Sequence, residues 1–295
     1  MRTFFLTIVL FLFWGFLPAG EGLSPYYKIA ETDAPVDKVI PQVKDALRTG
    51  GFEILGSYHP GNKTHLAVIT FTRNDLKNTV VKVKDRGALA AVLKVGLVRK
   101  GGKTVVSCTN PGYLFRAYLR QEYSRYAKSL NDVENDLKTA LTQIGNLWIP
   151  FGGTVAADEL PKYHYKIMMP YFTDPVELGK FSSFDEGLRI ISDNLKNGKS
   201  HTVQVYRLVY PGKDVAVFGI GLLDASNGEA HFLPKIGEEH VAAMPYEIIL
   251  QGNRATMLHG RYRLALHWPG LSMGTFMTIV STPGDIEDDL KSLCK

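Results

Sequence analysis

The side chains best suited to chemistry in this 295-residue chain are its eight histidines. Six of them, His164, His201, His231, His240, His259 and His267, lie in the second half. Neutral imidazole is the commonest metal ligand, so one reading is a metal- or haem-binding protein using second-half histidines, with His259 and His267 as candidate ligands. Against it, no two histidines stand at the i, i+4 spacing of a helix or the alternate spacing of a strand. Cys108 and Cys294 permit a disulfide in an oxidising compartment without requiring one; the alternative is two small buried apolar side chains. No CxxC pattern occurs, which leaves thioredoxin-like redox chemistry, c-type haem attachment and structural zinc without support.

Two proline turns, Asn110-Pro111-Gly112-Tyr113 and Trp268-Pro269-Gly270-Leu271, carry Pro-Gly where a type II turn wants it. Each follows an expected strand and leads into aromatic residues. A pocket for a small apolar or aromatic ligand is therefore expected at Asn110, Tyr113, Phe115, Trp268 and Phe276. The chain has no nucleophile elbow, zinc-protease helix, phosphate loop or dinucleotide fingerprint. An enzyme without a recognisable motif is a further alternative, with no catalytic residue and no cofactor assigned.

These residues need elements to hold them. At 45% hydrophobic and 21% charged, the composition is that of a globular chain rather than a disordered one. The net charge of +5 comes from scattered Lys and Arg, not from a stripe that could track phosphates, so no nucleic-acid partner is expected. The start, MRTFFLTIVLFLFWGFLPAG, has Arg2 ahead of an apolar run and small residues near Ala19 and Gly20, the pattern of a signal peptide spanning residues 1–22. An uncleaved N-terminal anchor is the alternative. No later stretch is long and apolar enough to cross a bilayer, so a soluble exported protein is expected, in a bacterial periplasm.

Several phrases recur in one order. PYYKIA (residues 25–30) is echoed by YHYKIM (163–168), LAVITFT (66–72) by VAVFGIG (215–221), and AAVLKVGLV (90–98) by AAMPYEIIL (242–250). TVVSCTNPG (104–112) is echoed by YRLALHWPG (262–270), and DVENDLKTAL (132–141) by DIEDDLKSLC (285–294). Five ordered pairs point to internal duplication. They set the expected organisation as a first α+β repeat at 25–145, a linker at 146–161 and a second repeat at 162–295, the two forming a pseudo-dimer within one chain.

Within each repeat, hydrophobic period assigns the elements. Val36, Val39, Ile40, Val43 and Leu47 recur at helical spacing, as do Phe184, Leu188, Ile191 and Leu195 after the capping sequence Ser183-Phe184-Asp185-Glu186. Pro41 fits only if its helix begins shortly before it. Strands are expected at 52–58, 66–72, 90–98 and 104–108, then at 202–210, 215–223, 246–250 and 257–266, with Gly101-Gly102 and Gln251-Gly252-Asn253 as hairpin turns. Each repeat closes with a helix striped by Val133, Leu137 and Leu141 or by Ile286, Leu290 and Leu293. Its carboxylates are read as crowding the helix start, where they complement the dipole. Hairpin-linked strands without crossover helices imply an antiparallel sheet with helices packed on one face.

The stretch from Gly51 to Leu119, with its helix ending at Gly-Phe, strand pair, glycine-turn hairpin and Asn-Pro step into a helix, resembles the domain-of-unknown-function family 302. The second repeat resembles it more weakly. The resemblance implies a small α+β domain of unassigned biochemistry, often exported in bacteria and found as a dimer. On these grounds the expected function is an exported binding or interaction protein for a small ligand or a periplasmic protein partner.

Overall fold

The computed structural model describes residues 21–166 and 168–295. The expected signal peptide lies outside them except for Glu21 and Gly22. Strands β1 (Gly22–Leu23) and β2 (Tyr26–Thr32) lead into α1 (Val36–Thr49), whose buried face is Val36, Val39, Val43, Ala46 and Leu47. Pro41 lies beyond the first turn of α1 and removes one helical hydrogen bond, a cost of about 3 kcal/mol that burial of this stripe offsets. The helix stops at Gly50-Gly51, with Gly51 at φ 81°. There follow β3 (Glu53–Tyr58), β4 (Leu66–Thr72), α2 (Asn74–Val80), β5 (Leu93–Lys100), β6 (Lys103–Thr109), α3 (Pro111–Leu119) and α4 (Tyr123–Leu141). Short strands β7 (Ile149–Phe151) and β8 (Val155–Ala156) occupy the expected linker. The rest of the chain runs β9 (Val176–Lys180), α5 (Phe184–Lys196), β10 (Thr202–Tyr210), β11 (Val215–Leu222), α6 (Glu229–Ile236), β12 (Tyr246–Gln251), β13 (Arg254–Met257), α7 (Gly260–His267), α8 (Met273–Met277) and α9 (Thr282–Ser292).

The protein is α+β, with two main antiparallel sheets. The first has the order β3-β4-β5-β6-β2-β7 and the second β10-β11-β12-β13-β9. Without β7, both follow one rule: the first strand of the unit returns to pair with its fifth. Hairpin chemistry enforces neighbours locally, for Gly101 and Gly102 at φ 58° and 82° make the two-residue turn that pairs Lys100 with Lys103. β7 extends the first sheet beside β2, and β8 pairs with β1, so the connector is tied back to the first unit.

Helices cover one face of each sheet, and the other unit covers the second face. Strand β4 is buried along its whole length because its period-two faces serve different cores. Ala67, Ile69 and Phe71 join the cluster of α1 and α4, whereas Leu66 and Val68 join the cluster of the second unit. β11 reciprocates: Ala216, Phe218 and Ile220 pack at home, and Val215 and Val217 pack in the first unit's cluster.

The structure corrects several expectations. The described residues of 163–168 form no strand, and the first strand of the second sheet is β9. The expected strand at 257–266 ends at Met257 and gives way to α7. Tyr262, Leu264 and Leu266 alternate as in a strand, but Arg263 and His267 between and beyond them are buried too, so the alternation was not an inside–outside pattern. Asn110-Pro111 is a helix start, with Asn110 as N-cap, and Trp268–Leu271 is a turn closed by Leu271 N–H to Trp268 O at 2.9 Å, without the positive φ at Gly270 that type II demands. Asp132, Glu134 and Asp136 sit in the second half of α4, not at its start. Cys108 and Cys294 are free thiols in different clusters, and burial pushes both up in pKa, Cys294 to about 12.

One contact between the units carries a titratable group. Glu229, the first residue of α6, is fully buried and accepts hydrogen bonds from Tyr58 Oη at 2.6 Å and Gly61 N at 3.0 Å. Gly61 has φ 57°, and a Cβ there would lie 2.5 Å from Ala230 N, so only glycine allows this approach. Burial pushes the Glu229 carboxyl up to about 7 from the 4.5 of a free side chain, against the pull of its two hydrogen bonds. The folded protein therefore holds this proton where the unfolded chain releases it. The stabilisation is complete below pH 4.5 and lost as pH rises through about 7. Relative to Glu229→Gln, wild-type protein is expected to lose about 3 kcal/mol of urea stability across that window. The difference between the two curves is the readout, because buried His240 and His267, held below the ordinary histidine value by burial, act in the opposite sense. Parallel curves would contradict the assignment.

Candidate functional site

Helix α7 borders a largely apolar cavity that two of the expected site residues line. His259 caps it, its Nδ1 accepting from Arg261 N at 3.2 Å. Arg261, Leu264, Ala265 and Trp268 then fall at i, i+3, i+4 and i+7, one stripe of the helix. This stripe forms one wall of a pocket of about 230 Å³. Tyr165, Lys166 and Met169 of the connector form another part, and the turn after α7 brings Leu271 and then Met273 and Phe276 of α8 to complete it. Ser272 holds α8 in place by accepting from Thr275 N at 3.0 Å. Tyr163 Oη donates to Ala265 O at 3.0 Å, which fastens the connector to α7.

Of the five expected pocket residues, Trp268 and Phe276 line this cavity. Asn110, Tyr113 and Phe115 do not. Asn110 donates from Nδ2 to Ser24 O at 2.8 Å, Tyr113 Oη donates to Leu266 O at 2.8 Å, and Phe115 is buried in the first cluster. These three hold α3 against its neighbours, and Tyr113 reaches the back of α7. Of the pocket residues that sequence reasoning missed, Leu264 and Ala265 were hidden by reading 257–266 as a strand, and Leu271 was read only as part of a turn; with polar and apolar positions of α7 buried alike, no period marked them.

The histidines do not gather. His259 and His267 are eight positions apart, roughly 12 Å along α7 at 1.5 Å per residue, too far to share an ion. Among the described residues, no group of three or more His, Cys, Asp or Glu side chains is placed to hold a metal. His267 has both ring nitrogens engaged, Nδ1 with Tyr26 Oη at 3.0 Å and Nε2 with Tyr118 Oη at 3.3 Å. Burial, then the nearby Arg263 and Lys94 charges, holds its pKa well below the ordinary histidine value, so the ring is neutral. His240 lies beside Trp268 at 5.5 Å between ring centroids, and Tyr26 and Phe151 complete this aromatic group.

Behind α7 is a buried charge cluster that drew no notice in the sequence. Glu247 of β12 pairs with Lys94 of β5 and with Arg263 Nε of α7 at 3.3 Å. Arg263 also donates to the carbonyls of Ala243 and Pro245 and stacks on the Tyr246 ring at 3.7 Å. Burial lowers the pKa of Lys94, with Arg263 adding to the shift and Glu247 opposing it. Lys94 interrupts an otherwise apolar strand run, which is the sequence mark of such a pair. The cluster is largely buried and ties α7 and β12 to β5.

No protein-family model matches the chain, and no curated protein matches it. The structure resembles a DUF302 protein. That likeness is to the crystal structure of the uncharacterised conserved protein DUF302 from Bacillus stearothermophilus, at 12% identity and a TM-score of 0.35, covering 40% of this chain and 96% of that one.

Glu247 is the single anion between two buried cations. Glu247→Gln is expected to cost about 3–5 kcal/mol in urea unfolding, because Lys94 and Arg263 keep their burial and lose their counter-charge. Glu177→Gln, which breaks a pair with the half-exposed Arg254, is expected to cost at most about 1 kcal/mol. Equal costs would show that the buried cluster does not hold the interface.

Proposed function

We propose that this chain is an exported, non-catalytic binding protein that takes a small apolar or aromatic ligand in the pocket beside α7. The observation that carries this reading is the pocket itself, walled by Leu264, Trp268, Leu271, Met273 and Phe276. Small-molecule sites are concave and mostly apolar with a few polar groups, and this one has that make-up. Its flanks add support: Met168, Tyr171, Met273, Met277 and Val280 stand exposed on the connector and around α8. Clustered exposed apolar side chains mark binding surfaces more often than chance would.

Export rests on the apolar N-terminal segment with Arg2 ahead of it, and a bacterial periplasm is the compartment it suggests. Among the described residues, no helix is long and apolar enough to cross a membrane. The common strand order of the two sheets supports duplication of one ancestral unit, and a pseudo-dimer within the chain.

A neutral fluorescent probe, phenylnaphthylamine, is expected to bind saturably to the purified mature protein. Phe276→Ala, which removes pocket wall, and Ala265→Phe, which fills the space, are each expected to weaken binding about tenfold, or ~1.4 kcal/mol. Leu147→Ala, at an exposed apolar residue that does not line the pocket, is expected to leave it unchanged. Absence of saturable binding, or equal effects of all three variants, would remove the pocket from the account.

A further inference from the structure

The pocket is apolar along its length but not at every point of its lining. Arg261 begins the α7 stripe and Trp268 ends it, seven positions and roughly 10 Å further along the axis at 1.5 Å per residue. A cation therefore stands at one end of the stripe and an aromatic ring at the other. Lys166 is the second charged residue in the lining, and no Asp or Glu lines the pocket among the described residues. Both cations are exposed, and neither makes an ion pair with a described residue. The lining thus holds two cations, Arg261 at the start of the α7 stripe and Lys166 of the chain before it, against an apolar remainder that includes Trp268, Leu271 and Phe276.

We propose that the ligand is an amphiphilic anion, an alkyl or aryl carboxylate whose apolar body lies along Leu264, Trp268 and Phe276 and whose carboxylate is taken by Arg261 and Lys166. This rests on the reading of the pocket as a ligand site. A guanidinium presents paired N–H donors that match a carboxylate, and a lysine adds a mobile point charge. Burying the body of such a ligand supplies the bulk of the affinity, and the two cations select its charge and direction. A neutral amphiphile would leave both cations without a partner, and a cationic one would be repelled.

Three probes of one chain length separate the contributions: octanoate, octanol and octylammonium, each titrated against the full mature protein by displacement of phenylnaphthylamine. Octanoate is expected to bind about tenfold more tightly than octanol, and octylammonium no better than octanol. Added salt is expected to weaken octanoate alone. Arg261→Gln and Lys166→Gln, both at exposed positions, are each expected to weaken octanoate about threefold or more while leaving octanol unchanged. Equal binding of octanoate and octanol, or equal loss of both in Arg261→Gln, would overturn the anion assignment and leave the apolar pocket standing. Displacement by none of the three would overturn both.

Discussion

The central constraint on this molecule is that strands β4 and β11 each have two buried faces, and one face of each belongs to the other unit's core. An antiparallel sheet can leave one face to water, but the second faces of β4 and β11 are apolar and buried, and here each unit's second side is covered by the other. The charge cluster at Glu247 sits within this shared layer, joining β5 of one unit to β12 and α7 of the other. A lone buried charge would be costly there; one carboxylate is shared by two cations, and backbone carbonyls accept from Lys94 Nζ and Arg263 Nη2, while Arg263 Nη1 is left without a partner among the described residues.

Helix α7 shows how that constraint reaches the candidate site. Its eight residues face three environments. Arg263 points to the charge cluster, His267 to the tyrosines of the first unit, and the Leu264–Ala265 side to the pocket. Trp268 touches His240 and His267 on one side and lines the pocket on the other. Such a wall has little freedom to move, because each of its other faces is held by partners from both units. A rigid wall reduces what a ligand must spend on ordering its site.

Much of the architecture was legible because period and turn chemistry are local. The stripe of α1, the Ser183 cap of α5, the glycine turn between β5 and β6 and the apolar runs of β4 and β11 all stand where the residues place them. The resemblance to family 302 also anticipated a helix after Asn110-Pro111, where the turn rule alone did not. Reading failed where burial was not one-sided. In α7 polar and apolar positions are buried alike, so neither helical nor strand period stands out, and a buried Arg263 reads as a surface residue. Lys94 and Glu247 were invisible as a pair because 153 residues separate them, and only the packing of the sheets makes them neighbours. Three of the five expected pocket residues, Asn110, Tyr113 and Phe115, fall elsewhere because two proline turns that read alike occupy different places, one opening α3 and the other following α7.

The connector has a further meaning. Through β7 and β8 it is stitched to β2 and β1 before the chain begins the second sheet. Two sheets that each need the other's cover would, on separate chains, have to find each other by diffusion, at a rate set by how much of each is present. Joined by a tether that is itself anchored, they meet at a fixed high effective concentration. Assembly of the pair becomes a first-order event in a single molecule, and mispairing with units of neighbouring molecules, the hazard of open sheet faces, is kept to a minimum.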